Sequence, residues 1–320
     1  MKSCIFIGTS DFALQCLKYL LESDFFKVAA LITIPSRQRG RGMAWQNSVV
    51  KTFGEKNLNI PCFTPEDLLE EEFLKKIQRL QSEFCVVCDY GKFLPKNFLN
   101  LFPKPSFNIH PSLLPLWRGA APIERSLMNG DLKTGVSLQL VSEKLDAGDL
   151  LGQINFPIKE DETSEEIYQK SAEVSKTLLQ ENLVSYLKGE ITAIPQKEAE
   201  ASYAHKIKKE EAKINWNQEA HLIHNKVRAL VLGPQAFTFY QGERLKIYKT
   251  QLVKNADSDS KNQAGEIIFL DKKQLIVSCG FLALKLYELQ RSGRKKQVIQ
   301  EFLGGVSIKK GDILGKELDI

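Results

Sequence analysis

The hydrophobic positions in the N-terminal half of the chain fall into short continuous runs, and the stretches between them have helical spacing. Continuous apolar runs are typical of strands buried on both faces of a parallel sheet. They predict strands at 2–8, 28–34, 84–88 and 106–110. Between the first two runs, apolar residues from 12 to 22 recur at helical intervals behind the cap residues Ser10 and Asp11. This alternation predicts an α/β fold of the Rossmann-like type.

Further elements complete this domain and lead into a second one. Helices are predicted at 45–56, 65–81, 121–128 and 162–188, and strands at 60–63, 134–141 and 148–156. Residues 189–205 contain Pro195 and have no periodic pattern, which predicts an extended linker. Short strands separated by turn residues then predict an OB-like β-barrel. These strands are expected at 236–240, 245–249, 265–270, 275–278 and 282–289, before a helix at 298–303. The expected domains are therefore 1–188 and 206–320.

The two predicted domains differ in charge. Residues 206–320 contain 21 Lys and Arg against 13 Asp and Glu, a net charge of +8. Residues 1–205 contain 23 against 26, a net charge of −3. A basic module attached to a mildly acidic domain is typical of a protein whose basic part binds a polyanion. A lysine-rich surface without a partner gives the same totals, so charge alone leaves both interpretations open.

Other features argue against whole classes of protein. No apolar run reaches the ~18 residues of a membrane span. The N-terminus leads directly into a strand without a signal-peptide pattern, so a cytoplasmic protein is expected. The first turn, Gly8-Thr9-Ser10, lacks the glycine pattern of a dinucleotide site, so no nicotinamide cofactor is expected. Cys85 and Cys88 lie inside an apolar run without a second pair, so no metal site is expected.

The strand at 106–110 is the strongest candidate for a catalytic element. Residues two apart on a strand point to the same side, so Asn108 and His110 lie together, and Pro111 ends the strand. Ligands of open α/β sheets bind at this end of the strands. An amide N–H can stabilise an oxyanion, and an imidazole can transfer a proton near neutral pH. A strand-end turn with a buried structural histidine would produce the same pattern, so the pair alone leaves both interpretations open.

The segment 35–43 is a second candidate site. It carries Arg37, Arg39 and Arg41 among glycines and has no apolar periodicity. Such a loop cannot order itself by burying apolar surface, but its guanidinium groups can bind phosphates and order the loop on contact. The alternative is a solvated surface loop.

Taken together, these motifs resemble the folate-dependent formyltransferases. Asn-x-His at 108–110, Ser-Leu-Leu-Pro at 112–115 and Asp-x-Gly-Asp at 146–149 occur in that family's order. The flanking Trp-Arg-Gly-Ala-Ala-Pro-Ile at 117–123 and Arg-Gly-Arg-Gly at 39–42 narrow the resemblance to the branch that acts on methionyl-tRNA. The resemblance extends over nearly the whole chain, from Ile5 to Leu289.

The resemblance implies a reaction and a set of site residues. A monomer without a metal is expected to transfer the formyl group of 10-formyltetrahydrofolate to the amino group of methionyl-initiator tRNA, for translation initiation. The implied catalytic residues are Asn108, His110 and Asp146, with Asp146 orienting the His110 ring. The implied folate contacts are Ser112, Leu113, Leu114, Pro115, Tyr90 and Gly91. Asp89 departs from the family's usual small residue, which leaves the contacts to the pterin ring open.

The resemblance also assigns the segment 35–43 to the tRNA acceptor stem. Arg41 matches the family's pattern best and Arg37 has a counterpart, whereas Arg39 is particular to this chain. Two other functions remain open at this point. One is a formyltransferase with a smaller amine acceptor, which would need neither the arginine loop nor the basic module. The other is a non-catalytic RNA-binding protein on a former enzyme scaffold, which the Asn-His-Asp set disfavours.

Overall fold

The structure, a computed structural model, describes residues 1–39, 44–253 and 262–316. Its strands are β1 (Lys2–Gly8), β2 (Phe26–Ile32), β3 (Arg37–Arg39), β4 (Ala44–Gln46), β5 (Cys62–Phe63), β6 (Phe84–Cys88), β7 (Phe107–His110), β8 (Arg118–Gly119), β9 (Lys133–Leu140), β10 (Leu150–Pro157), β11 (Tyr203–Ala204), β12 (Phe237–Tyr240), β13 (Glu243–Val253), β14 (Ile267–Leu270), β15 (Leu275–Ser278), β16 (Ala283–Arg291) and β17 (Gln297–Val298). Its α-helices are α1 (Asp11–Leu21), α2 (Val49–Asn57), α3 (Glu71–Arg79), α4 (Lys96–Leu99), α5 (Pro122–Asn129), α6 (Ser164–Thr177), α7 (Leu183–Lys188), α8 (Ala220–Ala229) and α9 (Ile299–Gly304). A π-helical turn, Leu178–Asn182, joins α6 to α7.

The chain packs as two compact units. The first contains Met1–Pro122, Lys133–Phe156 and Tyr168–Ala204. The second contains Ile123–Leu132, Pro157–Ile167 and His205–Ile320. The domain division expected from the sequence, with a linker at 189–205, stays a prediction about separable domains.

A mixed sheet of seven strands forms the centre of the first unit, in the order β10-β9-β7-β6-β1-β2-β5. The pairs from β7 through β6, β1 and β2 to β5 are parallel, whereas β7 and β9 are antiparallel. Strand β7 therefore lies where the direction of the sheet changes. Asn108 stands opposite Val87 on the parallel side and opposite Gln139 on the antiparallel side. This register brings polar side chains from two strands together at one place.

Burial explains why the apolar runs form this sheet. Every residue of β6 is buried, and its side chains alternate between two cores. Phe84, Val86 and Cys88 pack into one, and Cys85 and Val87 pack into the other. Alternation with a period of two is the geometry of a strand covered on both faces. The apolar run at 84–88 is therefore continuous because both faces of β6 are buried.

The second unit contains an antiparallel sheet that curls into an OB-like form. Its order is β12-β13-β16-β15-β14, and β17 pairs with β16. The segment after α9 connects the two edges of this sheet. The N–H of Leu314 donates to the Gly265 carbonyl beside β14, and the N–H of Gly315 donates to Phe239 in β12, each at 2.8 Å. Hydrogen bonds at both edges satisfy backbone groups that an open sheet would expose.

The predicted Rossmann-like and OB-like folds are confirmed, but several bounds differ from expectation; the helix expected at 65–81, for example, spans only Glu71–Arg79. The helix expected from residue 45 begins at Val49, because the Ser48 side chain caps it by accepting from the N–H of Lys51. Residues 44–46 instead pair antiparallel with 37–39, so β3 and β4 form a short two-stranded sheet. The segment expected as an extended linker is bonded to the first unit. Within it, Ile194 exchanges two backbone hydrogen bonds with Leu150. In the described ranges, no helix combines the length and apolar character of a membrane span.

The buried aromatic side chains of the first unit should dominate its stability. We expect Phe84→Ala to lower the free energy of unfolding by about 3–5 kcal/mol, because the ring is fully buried against Phe26 and Phe107. The control is Phe93→Ala, whose ring is 64% exposed and should change stability by less than about 0.5 kcal/mol. Chemical denaturation monitored by circular dichroism measures both. Equal losses from the two substitutions would contradict the described core.

Candidate active site

The structure brings Asn108, His110 and Asp146 together at the end of β7. Asn108 and His110 lie on the strand itself, and Asp146 lies in the loop between β9 and β10. The side-chain amide of Asn108 donates to the Asp146 Oδ1 atom at 3.1 Å. The His110 Nδ1 atom is 3.6 Å from Asp146 Oδ2, and the two side chains are only 7% and 10% exposed. The three residues predicted from the sequence therefore form one buried polar cluster.

Hydrogen-bond donors from three segments converge on the Asp146 carboxylate. Oδ1 accepts from the side chains of Asn108 and Gln139, both at 3.1 Å. Oδ2 accepts from the backbone N–H of Gly119 at 2.9 Å. A buried carboxylate requires such donors, because burial without them costs far more than the hydrogen bonds return. Asn108 and Gln139 face each other across β7 and β9, which is why both reach the same oxygen.

The His110 ring has a backbone carbonyl within hydrogen-bond distance, and the Asp146 carboxylate lies farther away. Its Nε2 atom lies 2.9 Å from the carbonyl oxygen of Trp117, which is hydrogen-bond distance. The 3.6 Å contact to Asp146 is longer than a hydrogen bond. A carbonyl oxygen can only accept, so Nε2 carries a proton and Nδ1 faces the carboxylate. The expected orienting role of Asp146 toward His110 stays a prediction.

Two residues of the cluster have an unusual backbone conformation. Trp117 and Asp146 have φ angles of 61° and 49°, in the left-handed region that non-glycine residues seldom adopt. Such conformations cost about 1–3 kcal/mol each and persist only where surrounding contacts hold them. Asp89, the departure from the family pattern, has a φ of 46° at the end of β6. Its side chain is exposed.

The residues expected to contact folate lie in two different environments. The turn at 112–115 is bonded to β9 and β10, since Leu114 N–H donates to Ser137 Oγ and the Gln153 amide donates to the Leu114 carbonyl. Tyr90 is 3% exposed, and burial raises the pKa of its phenol to about 12. Its hydroxyl has no hydrogen-bond partner among the described residues. Gly91, with a φ of 74°, has open space where a Cβ would stand. The folate role of all six residues stays a prediction.

A cavity of about 1020 Å³ adjoins the Asp146 loop. Its wall includes Val141, Ser142 and Glu143 from that loop and Ser106 from the start of β7. The opposite wall comes from the segment around α4, and consists of Leu69, Phe93, Leu94, Pro95, Lys96, Asn97, Leu99, Asn100, Phe102, Pro103, Lys104 and Pro105. Lys96 and Glu143 form an exposed ion pair at 2.7 Å. The cavity combines apolar and polar wall groups, as small-molecule sites do.

The arginine segment is described in part. Arg37 is exposed on β3, opposite Gln46 of β4. The backbone of Arg39 continues β3, and Arg41 lies outside the described residues. Trp45 in β4 is 71% exposed, which is unusual for an indole ring. The described part of this hairpin therefore presents a cation and an aromatic ring to solvent.

Several residues of the site were not identified from the sequence. Gln139 is 1% exposed inside β9. The sequence signal that could have identified it is a polar residue within a run of buried strand positions. Gln196 and Arg118 bond to each other, with Arg118 Nη2 2.9 Å from Gln196 Oε1. Gln196 lies in the expected linker, where no sequence pattern marked it. Among the described residues, no group of three His, Cys, Asp or Glu side chains is arranged to hold a metal ion.

Comparisons with known proteins point to one family. The family model "Formyl transferase" matches residues 1–183, and "Formyl transferase, C-terminal domain" matches residues 206–307. The methionyl-tRNA formyltransferase of Bdellovibrio bacteriovorus is 35% identical over 311 residues, covering 97% of this chain and 98% of that protein. The corresponding protein of Pseudoalteromonas translucida is 38% identical over 314 residues, covering 98% and 97%.

Solved structures share the fold. The methionyl-tRNA formyltransferase from Clostridium thermocellum superposes with a TM-score of 0.55 at 19% identity, covering 80% of this chain and 95% of that one. HypX from Aquifex aeolicus in complex with tetrahydrofolic acid superposes with a TM-score of 0.63 at 18% identity. That match covers 99% of this chain and 51% of HypX.

The Asp146 loop should tolerate no side chain at Gly148. A Cβ there would overlap the backbone carbonyl oxygen of Leu140, which cannot move without disturbing β9. We expect Gly148→Ala to destabilise the protein by about 1–3 kcal/mol through overpacking. The control is Gly304→Ala, where a Cβ meets nothing within 4 Å, so the change should stay within about 0.5 kcal/mol. Denaturation curves compare the two, and an unaffected Gly148→Ala variant would contradict this loop geometry.

Proposed function

Because the chain belongs to the formyl transferase family, we propose that it formylates methionyl-initiator tRNA. It transfers the formyl group of 10-formyltetrahydrofolate to the α-amino group of the esterified methionine, for translation initiation. The observation that carries this conclusion is identity of 35–38% to methionyl-tRNA formyltransferases across 97–98% of the chain. The similarity therefore includes the basic C-terminal unit as well as the cluster around β7.

The cluster can perform the two steps of acyl transfer. The neutral amine attacks the formyl carbon, and the carbonyl oxygen becomes negative in the tetrahedral intermediate. We assign the second N–H of the Asn108 amide, whose first N–H bonds Asp146, to stabilisation of this oxyanion. His110 Nδ1 accepts the proton that the attacking nitrogen loses and delivers it to the departing N10 of the folate. The products are the formylated amine and tetrahydrofolate.

Asp146 acts chiefly on Asn108 in this mechanism. Its shortest bonds are to Asn108, Gln139 and Gly119, and they fix the plane of the Asn108 amide. Its Oδ2 atom is close enough to His110 Nδ1 to stabilise the imidazolium that forms when the ring takes the proton. The carboxylate thus supports both the oxyanion donor and the proton carrier.

The cavity beside the Asp146 loop is the proposed site of the folate ring system. Its apolar residues can cover a flat heterocycle, and the polar residues Asn97 and Ser142 also line the cavity. The described wall includes none of the six expected folate residues, but Gly91 precedes the wall residue Phe93 by two positions and Asp146 follows Glu143 by three. Lys96 and Lys104 line the same cavity and pair with Glu143 and Glu83, and a folate carboxylate would replace one of these partners.

The tRNA is expected to contact the basic C-terminal unit and the β3–β4 hairpin. Lysine and arginine exceed acidic residues by eight in 206–320. On the hairpin, Arg37 offers a phosphate contact, and the exposed Trp45 ring can stack on an unpaired base. Arg39 and Arg41 keep their proposed roles from the family resemblance. Translation takes place in the cytoplasm, so we place the reaction there, by a monomer as the resemblance implies.

A formyltransferase for a small amine is the second candidate. Two sugar N-formyltransferases share the fold at 19–20% identity, covering 92–93% of this chain. The basic unit disfavours this candidate, because a small acceptor has too few phosphates to require it.

A transfer assay with three acceptors tests the proposed function. Purified protein and 10-formyltetrahydrofolate are mixed with methionine-charged initiator tRNA, with free methionine, or with an amino sugar nucleotide. Formylation of the charged tRNA alone is the expected result. Transfer to the sugar nucleotide with the tRNA left unmodified would replace the proposed substrate. Absence of transfer to all three would overturn the enzymatic function.

The Asn108 and Asp146 assignments predict large losses of turnover. We expect Asn108→Ala and Asp146→Ala each to lower kcat at least ~100-fold, since one oxyanion donor is worth about 3–4 kcal/mol. Binding of charged tRNA, measured by filter retention, should stay unchanged. Asp149→Ala is the matched control from the same motif and should keep most of the wild-type kcat. If Asp149→Ala and Asp146→Ala were equally impaired, the assignment to Asp146 would be wrong.

The hairpin assignment predicts a salt effect. Removing one phosphate contact should reduce the slope of log(kcat/KM) against log salt concentration by about 1. We therefore expect Arg37→Ala to raise the KM for tRNA and to flatten this slope by that amount. Lys27→Ala, an exposed cation at the other end of β2, should match the wild type. Identical slopes for all three proteins would remove Arg37 from the tRNA site.

A further inference from the structure

The segment 189–204, here called the connecting segment, follows the loops that hold the catalytic cluster. Ile194 pairs with Leu150, just after the Asp146 loop. Farther along, the carbonyl of Ser202 accepts from Arg118 N–H at 2.9 Å, and β11 pairs with β8. Strand β8 contains Gly119, whose N–H bonds Asp146. The segment is thus bonded to Leu150, which follows the Asp146 loop, and to β8, which supplies a donor to the Asp146 carboxylate. A passive linker would need neither contact.

One side chain of this segment, Gln196, bonds the Asp146 loop directly. Its Nε2 atom lies 2.9 Å from the Asp146 carbonyl oxygen and 2.7 Å from the Gly148 carbonyl oxygen. Asp146 has a left-handed φ of 49°, which its own backbone does not favour. A donor that bonds the carbonyls on either side of Ala147 can hold the loop in that conformation.

Gln196 also reaches the Asp146 carboxylate through Gln139. Its Nε2 atom is 3.2 Å from Gln139 Oε1, and Gln139 Nε2 donates to Asp146 Oδ1 at 3.1 Å. If the Gln139 amide were flipped, its oxygen would face the carboxylate. Gln196 Nε2 has two hydrogens for three acceptors, so it shares one hydrogen with Gln139 Oε1 and thereby favours the orientation in which Gln139 donates to Asp146.

Arg118 in turn fixes the orientation of the Gln196 amide. Arg118 is 1% exposed, and its Nε and Nη2 atoms donate to Gln196 Oε1 at 3.2 and 2.9 Å. Arg118 Nη2 also lies 2.9 Å from a carboxylate oxygen of Glu198. With its oxygen held by a cation, Gln196 presents its NH₂ group to the Asp146 loop.

We propose that Gln196 is a positioning residue for Asp146. It acts on the Asp146 main chain directly and on the carboxylate through Gln139, while Arg118 sets its orientation. The inference rests on the proposed function for its kinetic readout, because the Asn108 amide that Asp146 holds is the proposed oxyanion donor. Gln196 is thus the residue through which the connecting segment acts on the catalytic cluster.

The substitution Gln196→Glu separates two roles of this side chain. One is to accept the hydrogen bonds from Arg118, which anchor it, and the other is to donate its NH₂ group to the Asp146 loop. A carboxylate keeps both bonds from Arg118 and keeps the side-chain size, but it removes the NH₂ group that bonds Asp146, Gly148 and Gln139. We expect kcat to fall by ~10- to 100-fold, the scale of an ångström-sized misplacement. The KM values for charged tRNA and for 10-formyltetrahydrofolate should stay near wild type. The melting temperature should fall, because the new carboxylate oxygen faces the Asp146 and Gly148 carbonyl oxygens without a hydrogen between them.

Lys197→Ala is the matched control from the next position. Its side chain is 78% exposed and pairs with Glu200 on the surface, so the wild-type kcat is expected. Gln196→Ala removes the bonds from Arg118 as well and introduces no repulsive oxygen, so it should lower kcat by a similar factor. A Gln196→Glu variant with wild-type kcat would overturn the proposal, since the anchor alone would then suffice.

A double-substitution cycle with Asp146→Ala supplies a readout that a structural role would not affect. If Gln196 acts through Asp146, adding Gln196→Glu to Asp146→Ala should lower the residual single-turnover rate by less than ~2-fold. A further loss as large as in the wild-type background would show that Gln196 acts elsewhere, and would overturn the proposal.

A crystal structure of the Gln196→Glu variant separates this proposal from the proposed function. Displacement of the Asp146 carboxylate from Gly119 N–H supports the positioning role even if the wild type transfers no formyl group. An Asp146 loop that superposes on the wild-type loop, with Gln139 still donating to Oδ1, would overturn the positioning role while leaving the transfer reaction intact.

Discussion

The buried carboxylate of Asp146 is the group on which the arrangement of the site depends. A carboxylate removed from water needs several hydrogen-bond donors, and no single segment of this chain supplies them. The donors come from β7, β9 and β8, through Asn108, Gln139 and Gly119. Each donor is useful only if its own segment is held in place. Because one buried carboxylate needs donors from several segments, residues that are far apart in the sequence must be held close together in space.

The position of β7 in the sheet makes this convergence possible. The strand pairs in parallel with β6 and antiparallel with β9, so it lies where the two halves of the sheet meet. Asn108 in β7 stands opposite Val87, near the end of β6, and opposite Gln139 in β9. Asn108 and Gln139 consequently face the same carboxylate oxygen. The loop that carries Asp146 also contributes Val141, Ser142 and Glu143 to the wall of the adjoining cavity.

The sequence predicted most of the fold because burial leaves a periodic signal. The run at 84–88 matched β6 at both ends, and the short strands of the C-terminal part appeared where turn residues separated them. The pairing of 37–39 with 44–46 was missed because the described side chains of these two strands, Trp45 included, are exposed and leave no apolar periodicity. The connecting segment was expected to be a linker because its contacts are hydrogen bonds made by single residues. Such contacts leave no periodicity.

The sequence by itself determined the two fold types, the charge difference between them, and the residue types of the cluster at β7. Those properties follow from local spacing and composition, which require no knowledge of distant contacts. Only the tertiary structure decided that His110 bonds the Trp117 carbonyl and that Gln139 and Gln196 belong to the site. The physical reason is that a hydrogen bond depends on the distance between two specific atoms. That distance is set by strand register and loop packing.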